Sequence, residues 1–253
     1  MQERPGGAPR SGRLGVGIIG AGRVGPVLGA ALAGAGHAIV GVNAVSAASR
    51  ERAEDMLPGV PLLEPPELLE RSELVLLAVP DAQLPGLVEG LAAIGAWQPG
   101  QLVVHTAPGY GVGVLRPALA SGAIPLAIHP AMAFTGTRLD LARMVETSFA
   151  VTAPAPVQPI GQALVVEMGG EPLLVAEGDR PAYGEAIATA ASFSRRIIEQ
   201  ATGMLAEIGF EQPGAYLGSL VRSTVDDALR RAGTAAPIDL SGLDSDSDID
   251  GRA

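Results

Sequence analysis

Leu14-Gly-Val-Gly-Ile-Ile19 leads without a break into Gly20-Ala-Gly-Arg-Val-Gly25, and an alanine-rich apolar stretch follows to about Gly34. The first segment reads as a buried strand and the last as a helix. The pattern Gly20-x-Gly22-x-x-Gly25 therefore sits on a strand-to-helix turn, the context in which it carries meaning. Gly20 permits the tight turn, Gly22 lets the backbone approach a pyrophosphate, and Gly25 lets the helix lie close to the strand. Arg23 and Val24 complete the loop, and free amides at the helix start favour phosphate charge. A glycine-rich turn without a ligand is the competing reading.

Working outward, strands and helices alternate. Ala38–Val42 is a short strand and Ala47–Met56 a polar-faced helix. Leu74–Val79 is an uninterrupted apolar run, as expected of a parallel strand covered on both faces. Leu84–Ile94 is a helix, Gln101–Thr106 a strand, Val112–Ala120 partly helical and Ile124–Ile128 a strand. Ser148–Thr152, Pro156–Met168 and Pro172–Val175 continue as strand, helix and strand. Pro181–Ile208 and Gly214–Arg231 are then two helices with no strand between them. The expectation is an α/β fold: a Rossmann-type, mostly parallel sheet domain over 14–178, then a small all-helical domain over 179–236. A boundary near His129 is the competing choice. Residues 1–13 read as a flexible leader. Residues 237–253 read as a disordered acidic tail, with five acids and one arginine in the last fifteen positions.

An NAD site usually ends its second strand on Asp or Glu, which binds the ribose diol. Here Gly41-Val-Asn-Ala-Val-Ser-Ala-Ala-Ser-Arg50 offers no acid. Asn43 suits a hydroxyl, while Ser46, Ser49 and Arg50 suit a 2′-phosphate. NADP is the expected cofactor, with NAD the alternative, and a solvated helix face is the other reading of Arg50 and Arg52. Ala78, Val79 and Pro80 end a strand where the nicotinamide ribose would lie, with Thr106 on the next strand end. Asp81 reads as a helix cap. His105 and His129 also stand at strand ends and are the candidate catalytic residues, as proton donors or carbonyl polarisers. His37 reads as structural. No metal is expected, because two histidines without a paired carboxylate do not complete a zinc or iron set.

Composition excludes much else. All 17 basic residues are arginine, so Schiff-base, phosphate-binding and general-base lysines are ruled out together. Cysteine is absent, which removes disulfides, thiolate metal sites and cysteine nucleophiles, and fits a cytoplasmic location. A net charge of −10 and eight aromatic residues argue against nucleic acid as a partner. No apolar run suits a membrane span.

Gly20–Gly25, Leu76-Leu-Ala-Val-Pro-Asp81, Val104-His-Thr106, Leu126-Ala-Ile-His-Pro-Ala-Met-Ala-Phe-Thr-Gly136 and Val166-Glu-Met-Gly-Gly170 together resemble the Rossmann-like, DUF2520 domain-containing proteins. That group is related to pyrroline-5-carboxylate reductase, ketopantoate reductase and 6-phosphogluconate dehydrogenase-like two-domain enzymes. The resemblance implies an NAD(P)-binding domain, then a helical domain that pairs two subunits as a homodimer, and by association a keto-acid reductase. Departures accompany it: Ser192-Phe193 stands where the family tends to carry Asn-His, Asp227 where it tends to carry Asn, and the lysine of several relatives is missing. Two functions follow as expectations. One is an NADP-dependent oxidoreductase acting on a small carbonyl or imine. The other is a catalytically inactive dinucleotide-binding or scaffolding protein.

Overall fold

The computed structural model describes residues 13–145 and 147–233; most of the expected leader and all of the expected acidic tail lie outside them. Strand β1 (Gly15–Ile19) passes through the glycine loop into α1 (Gly25–Gly34), and β2 (Ala38–Asn43) returns beside β1. Helices α2 (Ala47–Met56) and α3 (Pro65–Glu70) precede β3 (Leu74–Leu77), and α4 (Leu84–Ala93) precedes β4 (Leu102–His105). Then come α5 (Arg116–Leu119), β5 (Ile124–Pro130), α6 (Leu139–Met144) and β6 (Ser148–Thr152). Helix α7 (Gln158–Glu167), β7 (Glu171–Leu174), α8 (Arg180–Glu207) and α9 (Pro213–Ala232) complete the described chain. The expected α/β architecture is thus present, with two short helices, α3 and α6, that the sequence pattern does not announce.

The strands form one sheet in the order β2-β1-β3-β4-β5-β6-β7, parallel throughout except between β5 and β6. Because β2 lies on one side of β1 and β3 on the other, a crevice opens at their carboxyl ends, where ligands of such sheets bind. Two-residue periodicity divides the core between the faces. Leu74 and Leu76 of β3 pack with Leu28, Leu32, Leu164 and Val165 from α1 and α7. Val75 and Leu77 pack on the other face with Leu68, Leu69, Leu84 and Val88 from α3 and α4. At the amino ends, His37 accepts from the Leu14 amide through Nδ1 and donates from Nε2 to Glu167 at 2.8 Å, a structural role as read from the sequence.

The described residues fall into two compact units, divided between Ala190 and Ala191 inside α8. The first turns of this helix therefore belong with the sheet, a boundary later than the one at 178. In the second unit, α8 and α9 leave Phe193, Ile197, Met204, Tyr216, Leu220 and Leu229 exposed, and no residue of α9 is buried.

Strand β1 carries glycine where the sheet needs closeness rather than bulk. A Cβ on Gly17 would lie 2.2 Å from Ser72 Oγ and 2.4 Å from Leu68 Cδ2, so α3 packs onto bare backbone. Gly17→Ala is expected to lower stability by about 1–3 kcal/mol, the usual penalty for overpacking a filled core. Urea unfolding of the variant checks this; an unchanged midpoint would contradict the close packing.

Candidate functional site

The three glycines of the loop hold their positions for separate physical reasons. Gly20 has φ +103°, and a Cβ there would sit 2.4 Å from the Ala78 carbonyl oxygen. A Cβ on Gly25 would sit 2.1 Å from the Gly20 carbonyl oxygen, which brings the start of α1 against the end of β1. Around Gly22, by contrast, nothing lies within 4 Å of a Cβ position. Two glycines make the turn and the third leaves a face open.

That open face belongs to a cavity of about 390 Å³, in the range of small-ligand sites. Gly22, Arg23 and Val24 line one side, Ala78, Val79, Pro80 and Asp81 the end of β3, and Thr106 and Pro108 the end of β4. His129 and Pro130 close it from β5, and Phe134 from the loop beyond. The residues read from the sequence as loop, nicotinamide-ribose border and catalytic histidine thus share one space. Gly20 and Gly25 shape it without lining it. Asp81 lies on the cavity at the start of a short turn, its carboxyl pushed up by burial and drawn back in part by a backbone hydrogen bond.

The loop Ala131–Arg138 is tied down by a buried carboxylate. Asp140 is fully buried and accepts from the Thr135 and Gly136 amides, both at 2.8 Å, and from Thr135 Oγ1 at 2.9 Å. Burial works against this carboxylate, but those donors hold it below the usual range. Gly136, at φ +81°, then comes within 3.2 Å of Arg23 Cα and Arg52 Cδ, counted from its Cβ position.

The residues expected to hold the adenosine end do not line the cavity. Ser46 and Ser49 form a capping box at the start of α2 and bond to one another. Asn43 donates to the Leu63 carbonyl at 2.9 Å. Arg50 is exposed, and its Nε donates to the Ala44 carbonyl at 3.3 Å. Arg52, read as surface, approaches the glycine loop instead, with Nε donating to the Ala21 carbonyl at 3.4 Å. Among the described residues, the terminal nitrogens of Arg23, Arg50 and Arg52 have no hydrogen-bond partner.

The two candidate histidines differ sharply. His105 is fully buried; Nδ1 accepts from the Ala107 amide at 3.2 Å, so Nε2 carries the proton and donates to the Gly111 carbonyl at 2.9 Å. Both nitrogens are spent on the backbone, and His105 ties down the β4 loop outside the cavity. His129 lines the cavity, with Nδ1 2.8 Å from the Tyr183 hydroxyl and Nε2 unpartnered among the described residues. Burial, then the nearby Arg180 charge, then His105 hold His129 down at about 4. Burial chiefly does the same for His105. Both imidazoles are neutral at pH 7.

Tyr183 and Arg180 went unread in the sequence. Pro181 marks a helix start there, but nothing in the pattern says that its first turn meets the ends of β5 and β6. Farther along α8, Ser192, Arg195, Arg196 and Glu199 are exposed, as is every residue of 191–200. Among the described residues no group of three or more His, Asp or Glu side chains could hold a metal ion, and no helix is long and apolar enough to cross a membrane.

Comparison with known proteins bears on this geometry. No curated protein matches the sequence. Among solved structures, BF3122 from Bacteroides fragilis, a candidate NADP oxidoreductase, superimposes with a TM-score of 0.69 at 17% identity, over 89% of this chain and 82% of that one. Pyrroline carboxylate reductase from Plasmodium falciparum, with NADP bound, gives 0.60 at 13% identity, over 88% and 80%. Imine reductase from Pseudomonas sp. gives 0.62 at 15% identity, over 88% and 77%. These likenesses establish the fold. Two family models match the sequence itself: a Rossmann-like domain over residues 2–130, and a domain of unknown function, DUF2520, over 147–237. The first model ends at residue 130, beside the alternative boundary at His129, and the second begins just before β6. The chain belongs to the family of proteins that join a Rossmann-like domain to a DUF2520 domain.

Proposed function

We propose that the protein is an NADP-dependent oxidoreductase acting on a small carbonyl or imine substrate, a keto acid or its imino counterpart among them. The observation that carries this reading is the single cavity running from the open face of Gly22 past Ala78–Pro80 to His129. Gly22 and the amides at the start of α1 suit the pyrophosphate. Ala78, Val79, Pro80 and Thr106 would border the nicotinamide ribose, and His129 would meet the substrate. Arg23, Arg50 and Arg52 offer cationic nitrogens beyond the end of β2, and that strand ends on Asn43 rather than on an acid. Ser46, Ser49 and Asn43 would contribute there only by exchanging their present partners. The bound nucleotide would supply a hydride; the chain's own part is to orient the substrate and deliver a proton. His129, being neutral, acts through Nε2 as a hydrogen-bond donor rather than as an imidazolium. We place the protein in the cytoplasm.

A second reading is a dinucleotide-binding scaffold without turnover, favoured by the missing lysine and by Ser192-Phe193. The exposed apolar side chains of α8 and α9 support a homodimer formed through the helical part, since so small an element buries little by itself. Sedimentation should show a dimer at micromolar concentration, and Leu220→Asp should yield monomers without unfolding the sheet.

Calorimetric titration tests the nucleotide reading. NADPH should bind about tenfold or more tightly than NADH, and Arg52→Ala should erase most of that difference. No binding of either nucleotide at millimolar concentration would overturn it. His129→Ala should keep binding and abolish carbonyl or imine reduction; the scaffold reading has no such activity to lose.

The two neutral imidazoles also predict an acid-sensitive fold. Their folded pKa values are depressed, so the unfolded chain takes up protons first as pH falls below 6.5, and stability declines until about pH 4. Each histidine contributes on the order of 3 kcal/mol to that decline. Urea midpoints measured across this range should show it, with a shallower slope in His105→Gln.

A further inference from the structure

Arg180 is a buried cation with no carboxylate in contact, although Glu177 favours its charge from farther away. It is fully buried, and neutral groups alone hold it: Nε donates to Thr152 Oγ1 at 2.7 Å, and Nη2 to the Ala127 and Ala150 carbonyls at 2.8 and 3.0 Å. Nη1 has no hydrogen-bond partner, and among the described residues no carboxylate pairs with it. A buried guanidinium held this way gains further from any negative charge that develops beside it.

The group beside it is Tyr183. The Arg180 Cζ atom lies 5.7 Å from the centroid of the Tyr183 ring. The Tyr183 hydroxyl is 2.8 Å from His129 Nδ1, and the two rings meet edge to face at 5.6 Å. Arg180, Tyr183 and His129 therefore form a chain that starts at a buried charge and ends at the cavity. The other ionisable groups nearby are His105, whose nitrogens both bond the backbone, and Glu177, which accepts from the Val112 and Gly113 amides. Glu177 also favours the Arg180 charge, and His105 is neutral at neutral pH.

A neutral imidazole is a poor acid by itself. It can release its Nε2 proton readily only if Nδ1 receives another in the same event. Tyr183 is the one group on Nδ1, and its loss of a proton leaves a phenolate that a nearby guanidinium stabilises. We propose that Tyr183 and Arg180 are positioning residues that make neutral His129 a proton donor: Tyr183 refills Nδ1 while Nε2 gives its proton to the substrate, and Arg180 holds the phenolate.

This rests on the oxidoreductase reading, and the step balances within it. The Nε2–H bond breaks as the substrate's oxygen or nitrogen gains that proton. The Tyr183 O–H bond breaks as an N–H bond forms at Nδ1, and the phenolate later regains a proton from water. A reduced nicotinamide supplies the hydride. Burial raises Tyr183 above the ordinary phenol range and so keeps the hydroxyl protonated at rest, while Arg180 opposes that rise and favours the phenolate.

The test uses the chain alone, so its failure is distinct from a failure to bind nucleotide. Nitrogen-15 NMR of imidazole-labelled protein at pH 7 should find His129 neutral, with its proton on Nε2 and a hydrogen-bonded Nδ1. Tyr183→Phe, which removes one hydroxyl from a partly buried ring, should erase that Nδ1 signature while the circular dichroism stays unchanged. Only three tyrosines exist, so an absorbance titration of tyrosinate, differenced against Tyr183→Phe, isolates the ionisation of Tyr183. Arg180→Gln should move that ionisation up by about one pH unit, a tenfold change. A wild-type His129 protonated at Nδ1, or a Tyr183→Phe variant with the Nδ1 signature intact, would overturn the proposal. Those two NMR outcomes decide it even if Arg180→Gln does not fold.

Discussion

A Cβ on Gly25 would lie 2.1 Å from the Gly20 carbonyl oxygen, so α1 can begin where it does only because that residue carries no side chain. The close approach sets the height of the first helix above the sheet. It thereby leaves open space over Gly22 at the crest of the turn. The end of β3 then lies directly across, since Gly20 itself sits against the Ala78 carbonyl. A bulkier residue at either contact would displace the start of α1 and with it the wall of the space that Thr106 and His129 border from β4 and β5. The cavity is therefore a consequence of backbone packing as much as of the side chains that line it.

The histidines show how placement changes chemistry. His105 and His129 both stand near strand ends, and both are held neutral by burial. One spends its ring on two backbone groups two and six residues away, and so becomes part of the loop's scaffolding. The other spends only Nδ1 and keeps Nε2 for the cavity. The division of roles follows from strand length: β5 extends to Pro130, so that its histidine is still within the sheet yet faces outward, while β4 ends at His105 itself.

The strands, the glycine loop and the cavity wall at Ala78–Pro80 were legible in the sequence because each is a local signal: an apolar run, a spacing, a proline. Helices α3 and α6 were not, since six residues hold less than two turns and establish no period. The boundary inside α8 was equally hidden, because a helix shows no break in pattern where its neighbours change. Arg180 and Tyr183 escaped for a different reason. Their meaning lies in contacts with Ala127, His129, Ala150 and Thr152, two strands brought together only by the antiparallel pairing of β5 and β6. Arg52 illustrates the converse: a charge that reads as solvent-facing is brought to the glycine loop by the way α2 folds back.

The segment between β4 and α5 has little regular structure, yet it is clamped at several points. His105 holds Gly111, Glu177 holds the amides of Val112 and Gly113, and Gly184 of α8 rests on Gly109, with 2.5 Å from its Cβ position to the Gly109 Cα. A loop fastened this way surrenders its conformational entropy during folding. A ligand arriving at Thr106 and Pro108 meets a surface already ordered, and little of its affinity is consumed in freezing the wall it touches.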